Sequence, residues 1–217
     1  MKFEDIIIEM IKHEVAELDT KDKDLVGKGA FHNVYISKKN PNVVYKIGFD
    51  EDVSGWVDIF KSRPDLFPKV YKMGHLNIKL KKSATTFSWR SGDFKPITYN
   101  PGDTVKVKYV ELEKLNTHKA QNDWLKLDYA ITDLTEEGWE FQDYVIHLIL
   151  NYTKEGGDYG MIDAIDENIK VSHPEMVDVL NKFVTLIRKI CEVKKRPDLH
   201  IDNFGYDNKG NLKCLDI

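Results

Sequence analysis

The apolar residues of this chain are spaced mostly as strands up to Val110 and mostly as helices from Asn116 on, and that shift limits what the chain can fold into. Up to Val110 they come in short alternating or β-branched runs. Leu25-Val26-Gly27-Lys28-Gly29-Ala30-Phe31-His32-Asn33-Val34-Tyr35-Ile36 reads as strand, glycine turn, strand. Asn40-Pro41-Asn42 reads as a turn, and Val43-Val44-Tyr45-Lys46-Ile47 as the next strand. Val70 to Met73, Asn77 to Leu80 and Val105 to Val110 follow as strands, with Ser83 to Asp103 a long hairpin or loop between the last two. Helical spacing is expected early, at Phe3 to Leu18 and Val53 to Lys61, and then dominates from Asn116 onward. Phe141 to Tyr152 is the clearest middle helix. Ser172, Pro174 and Glu175 are expected to cap a longer one, whose stripe is Met176, Val179, Leu180, Phe183, Leu186, Ile187 and Ile190. Strands first and helices after them, rather than in alternation, argue for an α+β fold.

Composition excludes several classes. Charged residues make up 31% and the formal net charge is −4, so no excess basicity points to nucleic acid. No stretch approaches the roughly 18 apolar residues of a membrane span, and the N-terminal run is broken by acids, unlike a signal peptide. Cys191 and Cys214 have neither paired spacing nor a ligand cluster, which argues against disulfide or zinc roles and for a reducing cytoplasm.

Two groups of residues carry chemistry. Near the C-terminus stands Asp198-Leu199-His200-Ile201-Asp202-Asn203, followed by an apolar hairpin and Cys214-Leu215-Asp216. Phosphoryl transfer to a hydroxyl needs a carboxylate beside the attacking oxygen and oxygen ligands that hold Mg²⁺ on the phosphates of ATP. Asp198 suits the first task, Asn203 and Asp216 the second. His200 is a candidate donor to the transferring phosphate, with a loop histidine bonded to backbone as its plain alternative. Asp207 to Asn211 reads as an ordinary turn.

Near the N-terminus, Gly27-Lys28-Gly29-Ala30-Phe31-His32-Asn33-Val34 offers a turn whose backbone can approach phosphate oxygens closely. Lys46 lies on the strand after it, where it is a candidate clamp for the α- and β-phosphates. No G-x-x-x-x-G-K-[ST] is present, which excludes a P-loop, and the glycines lead into a strand rather than the helix of a dinucleotide fold.

Taken together, the glycine hairpin, Lys46, the Asp198 loop and Asp216 resemble a protein-kinase-like fold. Within it they are most similar to the small serine/threonine kinases encoded by short-tailed bacteriophages, also on Val44 to Phe49 and Phe67-Pro68-Lys69-Val70-Tyr71. The resemblance implies a two-lobed α+β fold. Residues 1–20 would be an N-terminal helix, 21–115 a strand-rich N-lobe with hinge, and 116–217 a minimal, truncated helical C-lobe.

It also implies an ATP- and Mg²⁺-dependent Ser/Thr kinase acting on host proteins of transcription or RNA processing in the bacterial cytoplasm, capable of autophosphorylation. Asp198 would be the base, Asn203 and Asp216 the metal ligands and Lys46 the phosphate clamp. Gly27, Lys28, Gly29, Ala30, Phe31 and Val34 would line the nucleotide, and Glu111 and Leu112, following a strand that ends at Val110, would give backbone groups to the adenine. Arg196 stands where the family has the His of H-R-D. Asp216 is followed only by Ile217, so the expectation is a chain without the Phe-Gly of D-F-G or an activation segment. Glu51 and Asp58 are the nearest acids for Lys46. Two other functions fit the same residues: a pseudokinase that inhibits a host enzyme by binding it, and a small-molecule phosphotransferase.

Overall fold

In the computed structural model, the described residues are 25–28, 32–37, 40–48, 53–79, 83–90, 93–136, 138–195 and 197–216. The expected helix at 3–18 lies outside them, as do Gly29, Ala30, Phe31, Glu51 and Arg196. The chain is α+β and divides into two units. One comprises the described residues up to Val57 with Lys69–Lys114. The other comprises Asp58–Pro68 and everything from Leu115 on.

The first unit is built on a five-stranded antiparallel sheet: β1 (Leu25–Lys28), β2 (His32–Ile36), β3 (Val43–Gly48), β4 (Val70–Lys79) and β7 (Thr104–Glu113), in the order β1-β2-β3-β7-β4. Between β4 and β7 the chain forms a separate hairpin, β5 (Ala84–Arg90) and β6 (Asp93–Tyr99). The expected break between Met73 and Asn77 is absent, because β4 runs unbroken through Gly74. There the ring of Tyr109 lies across the strand, close enough that a Cβ would stand 2.6 Å from it. The β-branched and aromatic run of β3 is buried throughout, from Val43 to Ile47.

Helix α1 (Val53–Ser62) follows β3. The second unit then contains α2 (Thr117–Leu134), α3 (Phe141–Thr153), α4 (Tyr159–Ser172), α5 (Val177–Val193) and a short hairpin, β8 (Phe204–Tyr206) with β9 (Leu212–Cys214). Asn116 starts α2 as an N-cap, its side-chain oxygen accepting from the Lys119 amide at 3.0 Å. The expected cap of the long helix is corrected. Ser172 ends α4, and His173 leads into a 3₁₀ turn, Pro174–Met176, before α5. Pro174 lacks the N–H that a continued helix would need, so the chain turns there and restarts. The stripe along α5 is as expected, with Leu180, Phe183, Leu186, Ile187 and Ile190 buried.

Aromatic rings make the centre of this unit. Trp124 of α2 meets Phe141 of α3 at 4.5 Å, and Phe183 of α5 lies 5.7 Å from Trp124 and 5.2 Å from Phe204 of β8. Edge-on ring pairs of this kind add to the free energy of burial itself. The segment Asp58–Pro68 belongs here rather than with the strands, against the partition at 115/116 expected from the sequence. Phe60 and Phe67 stack at 4.5 Å, and the Leu66 carbonyl accepts from the Cys214 amide at 2.8 Å. Beneath β8, Gly205 leaves no space for a side chain: a Cβ would stand 2.6 Å from the Cβ of Leu115. Gly205→Ala is therefore expected to destabilise the helical unit by about 1–3 kcal/mol in urea unfolding. An unchanged midpoint would show that Leu115 yields.

Candidate functional site

The catalytic-loop candidates are held by bonds that the sequence alone does not show. Pro197 and Leu199 are buried and anchor the loop, while Asp198 and His200 between and beside them are exposed. From α3, Gln142 donates its side-chain amide to the Leu199 carbonyl at 3.0 Å. His200 caps the 3₁₀ turn Ile201–Asn203, its Nδ1 accepting the Asp202 amide at 3.3 Å. In the neutral ring that bond puts the proton on Nε2, which leaves a donor at the exposed end of a half-exposed side chain. Gln121 of α2 holds Asp202 at 2.9 Å, which keeps that carboxylate on the α2 side of the turn.

Asn203 joins the parts. Its side chain is buried, and Nδ2 donates to the Asp198 carbonyl at 2.5 Å. An amide whose N–H₂ is used this way presents its oxygen as the remaining acceptor. The backbone carbonyl of Asn203 accepts from Leu215 at 2.7 Å, where the β8–β9 ladder opens beyond its Phe204–Cys214 pair. That bond brings the residue before Asp216 against Asn203. The Cys214 thiol donates to the Asp216 carbonyl at 2.8 Å, and the Asp216 side chain is exposed. Asn203 is thus bonded to the Asp198 backbone on one side and to Leu215, the residue before Asp216, on the other. Among the described residues no three His, Cys, Asp or Glu side chains converge as a metal cluster. One amide oxygen and one or two carboxylates suit a small hard cation that keeps water and phosphate oxygens as its other ligands.

The hairpin that carries Asp216 has its own support. The expected turn at Asp207 to Asn211 is present, closed by the Gly210 amide on the Asp207 carbonyl at 3.0 Å. Asp207 Oδ1 accepts from the Lys209 and Asn211 amides, and Oδ2 takes the Asn211 side chain and lies 3.4 Å from the buried Lys213 ammonium. Tyr206 donates to the buried Asp123 at 2.8 Å, and Lys119 lies 3.8 Å over the Tyr206 ring while bonding the same carboxylate. Charge pairing with a buried lysine gives no periodic signal, so sequence reasoning missed Lys213, Asp123 and Gln142.

In the strand unit, register aligns three candidates. Gly27 pairs with Val34, Val34 with Lys46, and Lys46 with Val110, so they form one row across four strands. Lys46 is 8% exposed, with its ammonium 4.8 Å from the centre of the Trp56 ring on α1. An aromatic face attracts a cation at that range and offsets part of the cost of burying it. Trp56 was invisible as a site residue in the sequence, and Asp58 is exposed.

Glu111 and Leu112 need correction. They lie inside β7, which runs to Glu113, and not beyond it. Glu111 is paired with Tyr45 and Lys72, and Leu112 with Val44 and Val70. The β4–β7 register shifts between Val70 and Lys72, opposite these two residues.

No family model and no curated protein matches this chain. Among the described residues no helix is long and apolar enough to cross a membrane.

Burial alone would raise the Asp207 carboxyl, but the Asn211 side chain, the Asn211 and Lys209 amides and Lys213 outweigh it and hold it below the usual carboxylate range. A depressed folded pKa gives stability that is present above the unfolded value of 3.8 and is lost as pH falls through the folded one. Asp207→Asn is expected to cost about 1–3 kcal/mol at pH 7, a difference from wild type that shrinks as the pH falls below about 4. Urea unfolding across that range checks it; a difference independent of pH would contradict it.

Proposed function

We propose that this chain is an ATP- and Mg²⁺-dependent protein kinase of the minimal phage-encoded type, transferring phosphate to Ser or Thr of host bacterial proteins. The strand and helical units would be its N- and C-lobes. The observation that carries the proposal is the Asn203 amide donating to the Asp198 carbonyl while the Asn203 backbone holds Leu215. That joint ties the candidate base to the buried candidate ligand and to the residue before the other one. The order of the other unit supports it too. A glycine-bearing strand pair is followed by a lysine on the third strand and then by a helix, as in protein kinases.

In this proposal Asn203, through its amide oxygen, and Asp216 would hold Mg²⁺, which would supply positive charge against the phosphates of ATP. Lys46 would hold the α- and β-phosphate oxygens. Asp198 accepts the proton of the attacking hydroxyl as its oxygen closes on the γ-phosphorus, and the leaving oxygen stays on ADP. His200 donates its Nε2 proton in a hydrogen bond to a γ-phosphate oxygen. Because positioning and electrostatics supply most of such catalysis, loss of one member is felt strongly.

A second function, steric inhibition of a host enzyme by a pseudokinase, is favoured by one observation: the Lys46 side chain is 8% exposed and lies against the Trp56 ring. The two separate experimentally. Asp198→Asn and Asp216→Ala are each expected to lower incorporation of labelled γ-phosphate into protein by about a hundredfold or more. Wild-type incorporation by Asp216→Ala would refute the metal assignment. Mg-ATP at 100 times its Kd is expected to stabilise the wild-type chain by about 2.7 kcal/mol. No stabilisation would favour the inhibitor, and phosphorylation of free metabolites without labelled protein would favour a small-molecule enzyme.

A further inference from the structure

Strand β4 forms one margin of the five-stranded sheet, and no strand pairs with its outer side among the described residues. Along a marginal strand of 10 residues, alternate backbone N–H and C=O groups point outward and can pair with another extended chain. Two features set this margin apart. Tyr71 and Met73, at 47% and 37% exposure, are the large apolar side chains that stand most open among the described residues of this unit. The second feature is charge. In the β4–β7 register His75 lies opposite Lys108 and Asn77 opposite Lys106, so His75, Lys106 and Lys108 share a face with Met73. The acids of β7 lie on the other face, where Glu111 is opposite Lys72.

Like charges opposite one another in a ladder cost stability. Burial, with Lys106 and Lys108 nearby, accordingly pulls the His75 imidazole below its ordinary range. Guarding an edge against unwanted pairing needs a lysine on the margin itself. It does not need further cations one strand inward on the face of an exposed methionine.

We propose that the outer edge of β4 docks an extended acidic segment of another protein, which adds to the sheet as a further strand. Main-chain pairing supplies the fit, Tyr71 and Met73 the apolar contact, Lys106 and Lys108 the charge selection, and the neutral His75 ring a hydrogen-bonding group beside them. Charge also decides the occupant. β4 itself contains Lys72 and Lys79 and no acid, so a second copy pairing through it would bring only further cations. A nucleic acid could use the cations but not the strand edge, on a chain of net charge −4. This docking does not depend on the proposed kinase activity.

Two fluorescent octapeptides test it on the full chain, one alternating Glu with Val and one alternating Lys with Val. The acidic peptide is expected to bind, more weakly as salt rises, and to slow hydrogen exchange within residues 70–79. The paired change His75→Glu with Lys106→Glu is expected to weaken binding by about tenfold or more. The exchange measurement uses wild-type protein, so it stands even if the variant folds poorly. Any of the following overturns the proposal: no binding of the acidic peptide, equal binding of the basic one or of a DNA duplex, displacement by Mg-ATP, protection outside 70–79, or self-association through β4 instead.

Discussion

The ring of Phe204 fixes the geometry on which the candidate site depends. It is fully buried between Trp124 and Phe183, at 5.6 and 5.2 Å, and it stands next to Asn203 in the chain. A side chain wedged among rings contributed by α2 and α5 cannot rotate without opening the aromatic centre of the helical unit. The position of Asn203 is therefore set by packing, and its two bonds are set by that position. One reaches back to Asp198 and the other across the hairpin to Leu215. Polar chemistry at the surface of this unit rests on apolar order beneath it.

The rest of the hairpin is built to keep that order. Tyr206 is tied to Asp123, Lys213 to Asp207, and Cys214 to Leu66 through its amide and to Asp216 through its thiol. Each bond satisfies a group that burial would otherwise leave costly. Each also stops the short two-stranded ladder from slipping, which three-residue strands cannot prevent by themselves. The outcome is a rigid mount that leaves the Asp198, His200 and Asp216 side chains in solvent.

Much of this was legible in the sequence, for physical reasons that differ by element. β3 was readable because a β-branched and aromatic run has few alternatives to a buried strand, and α5 because its stripe keeps the helical period over four turns. In the sequence β4 looks like two pieces because glycine weakens a strand locally, while the Tyr109 ring that covers Gly74 comes from another strand. The same holds for Glu111 and Leu112: the alternation changes phase at Tyr109 and Val110, but pairing continues to Leu112 with β4 and to Glu113 with β3. Motif spacing singles out Asp198, Asn203 and Asp216 as candidates. It could not find Gln142, Trp56 or Lys213, whose roles follow from which residues meet in space.

Paramagnetic broadening of amide signals with ATP and Mn²⁺ in place of Mg²⁺ tests the central claim most directly. If Asn203 and Asp216 hold the cation, the Asn203 side-chain amide and the backbone amides of Leu215 and Asp216 broaden first. Asn203→Leu then abolishes the effect while the rest of the spectrum keeps its folded dispersion. Broadening centred on other residues, or the same pattern surviving in Asn203→Leu, would contradict the account.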